Sequence, residues 1–141
     1  MVNEIKRIAL LAGADLVIYD TSEMQNILAD ATNIGKVVCL FDEVNTIKQT
    51  IKANGVKETY PIVVTFAKQV DFQNIADNNA ATMNAMLTCT RSFLMNISRS
   101  EYFGKLIEST TTKFTEDNTD ANLIGWKMSI EIELIDGYTE C

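Results

Sequence analysis

The chain has 141 residues, 47% of them hydrophobic, and a single proline, which excludes disorder and low complexity and fits one globular domain, residues 1–141. Twelve Lys and Arg stand against nineteen Asp and Glu, a formal charge of −7, and the basic residues are spread out, so the basic surface of a sequence-independent nucleic-acid binder is missing. Cys39, Cys89 and Cys141 are odd in number and far apart, which argues against a disulfide framework or a paired-thiol metal site and is read as reduced thiols in a cytosolic setting.

Lys6-Arg7 followed by the apolar run from Ile8 to Ala14 has the order of a leader peptide, but the run is short and Glu4 sits in its basic part, so no secretion signal is expected. No stretch approaches the roughly 18 apolar residues that span a bilayer. Ile5, Ile8, Ala9 and Ala12 recur at helical spacing and predict a helix over residues 3–12, stopped by Gly13. Leu16 to Tyr19 reads as a strand, and Thr21 or Ser22 can cap a helix running from Glu23 to about Ala31. After Gly35, the unbroken apolar run Val37 to Phe41 predicts a strand buried on both faces, and Ile62 to Phe66 predicts another. These are the expected central strands.

Residues 44–60 fit two forms. Asn54-Gly55 suits the tight turn of a protruding hairpin, the preferred form, whereas Val44, Ile47 and Ile51 would share a face if the segment were helical. Pro61 has no amide hydrogen and is expected to begin its strand. Met83, Met86, Leu87, Phe93, Leu94 and Ile97 recur at three and four and predict the main core helix over 78–98, with Tyr102 and Phe103 ending the helical region near Gly104. Cys39 and Cys89 fall on apolar faces and are expected as small core residues. Thr110 to Phe114 suggests one more strand. Last, Trp126, Met128, Ile130, Ile132 and Leu134 alternate with Lys127, Ser129, Glu131 and Glu133, the period-two pattern of a strand with one core face and one wet face. The expected fold is α+β: a mainly antiparallel sheet of four to five strands packed against two to three helices, with a single layer of helices on one face.

Chemistry is sparse. With no histidine, the commonest general base is absent, and the adjacent acids Asp42-Glu43 and the cluster from Glu116 to Asp120 read as solvated loop residues. The segment Asp117 to Asn122 offers oxygen ligands but lacks the central glycine and distal glutamate of a calcium-binding hand, so a turn held by Asx hydrogen bonds is expected there. The glycines are too scattered to cradle a phosphate. No catalytic residue, cofactor or metal ligand is expected, and the chain is not expected to be an enzyme.

The order of elements, with Val37 to Phe41, Tyr60 to Phe66, Phe93 to Ser98 with Tyr102-Phe103, and Asp117 to Ala121 leading into Gly125-Trp126 and the alternating strand, resembles the tail-completion proteins of tailed bacteriophages, the family of tail terminators and related neck proteins. That resemblance covers most of the chain. It implies a non-enzymatic virion subunit, made in the host cytoplasm, that forms a ring, typically a hexamer, at the head–tail junction. Its implied partners are further copies of itself, the tail tube and the neck or connector proteins, with DNA passing through the lumen without specific binding and no membrane. Residues 44–60, with Ile47, Ile51, Asn54 and Gly55, are the expected reach towards a neighbour, and Lys127, Glu131 and Glu133 the expected salt-sensitive contacts. A head–tail connector or stopper ring shares the same implied design. Two alternatives from other classes are a small α/β ligand-binding or regulatory protein, with a pocket at the ends of Val37 to Phe41 and Ile62 to Phe66, and an acid/base enzyme using Asp42 and Glu43.

Overall fold

The computed structural model describes residues 2–19, 35–42, 47–53, 55–70, 77–101, 103–117 and 122–134. The elements are α1 (Val2–Leu11), β1 (Leu16–Ile18), β2 (Val37–Phe41), β3 (Lys48–Lys52), β4 (Gly55–Val70), α2 (Asp77–Arg99), β5 (Phe103–Asp117) and β6 (Asn122–Leu134). The expected helix over 23–31, Asn54 and Cys141 lie outside the described residues.

α1 ends as its sequence predicts. Gly13 adopts a positive φ of 116°, the Ala14 amide donates to the Ala9 carbonyl and the Gly13 amide to Leu10, the paired bonds of a Schellman stop. Asp15 then closes the start of the sheet from both its ends: its amide donates to the Val37 carbonyl, and its carboxylate accepts from the Val37 amide at 2.9 Å.

Among the described residues the sheet has six strands, in the order β1-β2-β4-β6-β5, with β3 paired to β4 off that path. β1 and β2 are parallel and every other pair is antiparallel, so the sheet is mixed and larger than the four to five strands expected. The extra strand comes from residues 44–60: Lys52 pairs with Gly55, whose φ is 138°, so β3 and β4 run antiparallel across a tight connection. The hairpin form therefore holds and the helical one does not.

Two sequence expectations are corrected here. Phe103 does not end the helical region but opens β5, which is 15 residues long and not confined to Thr110–Phe114. Pro61 lies inside β4, opposite Glu131, not at a strand start. The reason is geometric. The Val63 carbonyl accepts from the Asp42 amide, so Val63 directs its backbone groups to the β2 side. Two residues back, the ring of Pro61 replaces a donor on that same side, in the interval between the last β3 pair at Thr59 and the first β2 pair at Val64. Among the described residues no ladder bond is lost.

One sheet face carries the main core. Cys39, Phe41, Ile62, Val64, Phe66, Met128, Ile130 and Ile132 join Ile5, Ile8 and Ala9 of α1 with Met86, Phe93 and Ile97 of α2 in one buried cluster. Phe66 and Phe93 meet edge to face at 5.6 Å, and the Trp126 indole N–H donates to the Met83 carbonyl at 3.0 Å, tying α2 to β6. Met86 is thus core filler, as its spacing predicts. Cys39 is fully buried and Cys89 half-buried; burial pushes both thiols above their ordinary range, with the Asp15 charge adding to it at Cys89. The second face is buried at one end only, by Ile18, Val38, Ala67 and Leu123, and is open and hydroxyl-rich further along, at Thr110, Thr112, Lys127 and Ser129. Val38 and Cys39 are adjacent and both buried, which bears out burial of β2 on both faces.

Candidate assembly surface

The sheet is not closed on itself at the β3–β4 end. β6 pairs with β4 from Val70↔Asn122 to Thr59↔Glu133, and β2 pairs with it only from Val64 to Lys68. Residues 55–58 of β4 are therefore paired, among the described residues, with β3 alone, and the hairpin extends about 13 Å past the last β4–β6 pair as a two-stranded arm.

Near the arm's tip, Ile51 of β3 and Val56 of β4 are direct cross-strand partners, 83% and 56% exposed. β-branched side chains suit a strand, so the local sequence makes a good arm. Water is a poor solvent for such a pair, and an apolar pair left at a tip marks a contact surface. Val56 has the same parity along β4 as Ile62, Val64 and Phe66, so the arm carries the core face of the sheet outward beyond the helices' described contacts. Ile47, 49% exposed, precedes β3 on the same strip, and Gln49 donates to Glu58 across the two strands.

The arm's base is fixed on both faces. On the opposite face Lys48 forms an ion pair with Glu131 of β6, spanning β4, and on the tip's own face the Tyr60 hydroxyl donates to Glu58 at 3.0 Å. An exposed pair of this kind is worth less than about 1 kcal/mol, but it favours one direction for the arm.

The expected contact residues thus divide into two groups. Ile47, Ile51 and Gly55 belong to the arm; Lys127, Glu131 and Glu133 lie on the second face of β6, with Glu131 engaged by Lys48 and Lys127 exposed between Thr65 and Thr112. Val56 was missed by sequence reasoning: it follows the turn glycine and gains meaning only once the register sets it opposite Ile51. Lys48 was missed for the same reason.

No family model matches the chain, and no curated protein matches it.

Other chemistry is thin. Among the described residues no group of three or more Cys, Asp and Glu is placed to hold a metal ion, and no helix is long and apolar enough to cross a membrane. A shallow groove on the second face is lined by Pro61, Val63, Thr110, Ser129 and Glu131. β2 and β4 run antiparallel, so Phe41 ends beside Val64 in the middle of β4, and the two strands share no carboxyl edge of the kind that places ligands in parallel sheets.

Proposed function

We propose that the chain is a structural, non-enzymatic subunit that assembles with copies of itself into a ring, and that the ring serves as a tail-completion piece, a terminator or neighbouring connector, at the head–tail junction of a tailed bacteriophage. Its helices α1 and α2 form a single layer on the main-core face, and the arm reaches outward from that body. The observation that carries the reading is the exposed Ile51–Val56 pair at the end of a two-stranded arm. A monomer gains nothing from such a tip, whereas a subunit that hands it to a neighbour buries it, and contacts of that kind close into a ring when their rotation permits. The order of elements supports the phage assignment through the family resemblance, and the acidic composition suits a lumen through which DNA slides without adhering. The ring is a hexamer in this reading, with tail tube and neck proteins above and below it. Negative-stain electron microscopy of the purified chain tests it: closed rings with a central opening are expected, and isolated small particles at every concentration would refute it.

A further inference from the structure

Among the described residues β3 and β5 each leave one side unpaired, on opposite edges of the sheet: β3 on the β2 side of β4, and β5 at the far end. β1, also on the β2 side, is only three residues long. Edge strands are usually guarded by charges, prolines or bulges. The register shifts in β5 are confined to residues 103–108, so it is regular from Ser109 onward, and Ser109 to Thr112 bring no charge and no proline. In β3, Gln49 to Ile51 are likewise uncharged.

The ladders fix which backbone groups face outward. Val63 points its amide and carbonyl at β2, and these groups alternate along a strand, so even residues of β4 bond to β6 and odd ones to β3. The same alternation, carried through β6, makes Thr110 and Thr112 bond inward and turns the amides and carbonyls of Ser109, Thr111 and Lys113 out to the edge. In β3 it turns Gln49 and Ile51 outward. β3 runs against β4 and β5 runs with it, so the two outer edges of copies facing the same way meet as an antiparallel pair.

We infer that β3 of one copy adds to the outer edge of β5 of the next, with Ile51 opposite Thr111 and Gln49 opposite Lys113, so that one sheet runs through successive copies. The inference rests on the assembly reading above and names the surface that receives the arm. Main-chain hydrogen bonds hold a strand added in this way. Ile51 and Thr111 both lie on the core face of the sheet, so the joined sheet keeps that face continuous and sets the Ile51–Val56 tip on the α2 side of the receiving copy. There the half-buried Leu87 and Leu94 line one flank of α2. Cys89, on the other flank, faces the Gly13 turn that leads into β1 at the opposite edge, so the leucine flank is the one towards β5. This register offsets the copies by about eight residues, about 26 Å along the strands, and carries β1 and β2 of the incoming copy past the Asp117 end of β5. Each copy gives one edge and receives on another, whereas two-fold pairing of β5 with β5 would leave the apolar tip in water.

Proline substitution in the full chain tests it, read by sedimentation velocity. Thr111→Pro deletes an outward amide that no described strand uses, so the fold keeps its ladder while the added strand loses a donor. It should raise the concentration needed for assembly about tenfold or more. Thr111→Val keeps the amide and should shift that concentration less than about twofold. Hydrogen exchange on the unaltered chain needs no variant: residues 48–52 and 109–113 should become protected together as concentration rises. Far-ultraviolet circular dichroism checks that Thr111→Pro folds. A folded Thr111→Pro that assembles like the unaltered chain, or an equal loss in Thr111→Val, would overturn the pairing. So would protection of 109–113 without 48–52, the mark of two-fold β5 pairing. Each of these leaves the assembly reading standing, and an unaltered chain that is monomeric at every concentration would overturn both.

Discussion

Gly125 is where a single atom decides whether β4 and β6 can pair. A Cβ built there would overlap the Phe66 carbonyl and lie 2.6 Å from the Ala67 Cα, and neither backbone atom can turn aside. Gly125→Ala is therefore expected to cost about 3 kcal/mol, seen as a lower denaturant midpoint; an unchanged midpoint would show that the strands are further apart. At the other pole of the core, Glu4 accepts from Arg7 and from the Ser100 hydroxyl, joining the start of α1 to the end of α2. The Arg7 hydrogen bonds, with that from Ser100, hold its carboxyl below the ordinary value of 4.5 despite partial burial. A lowered pKa stabilises the folded state above pH 4.5 and loses that contribution as pH falls through the folded value. Arg7→Gln should accordingly lower stability at every pH above 4.5, alkaline pH included, leave it unchanged below the folded value, and so flatten the acid side of the profile, as pH-dependent denaturation would reveal.

At the scale of elements, patterning was legible wherever one face met the core and the other met water. β6 alternates cleanly from Trp126 onward because its odd residues there lie on the open, hydroxyl-rich part of the second face, and α2 is periodic because Met86, Phe93 and Ile97 line one side. β5 was mostly hidden: it is an edge strand whose Ser109-Thr110-Thr111-Thr112 run carries no apolar alternation, so only its β-branched residues signalled it. The full length of β4 was hidden by Pro61, because the rule that confines proline to strand starts assumes partners on both sides. Where two shorter strands share one edge of a long one, the interval between them tolerates a missing donor. Pro61→Ala should thus shift stability by less than about 1 kcal/mol in chemical denaturation; a gain well beyond that would mean the proline had been breaking a ladder bond. The arm itself was legible as Asn54-Gly55, whereas the Ile51–Val56 partnership was not, since a one-residue change in register would have separated them.

Taken as a whole molecule, the protein has a closed core around one sheet face and an unclosed arm that extends that face into solvent. The described fold is complete without the arm's tip, so the tip's chemistry is free to serve contact. Ile51→Ser with Val56→Thr keeps a strand-compatible arm and removes much of its apolar surface, at exposed positions where folding should be little affected. Native mass spectrometry of the unaltered chain beside this variant is the most direct test of assembly through the arm. A ring mass, an integer multiple of 15.7 kDa, for the unaltered chain and a monomer for the variant is the predicted result. The same mass for both, whether monomer or oligomer, would contradict it.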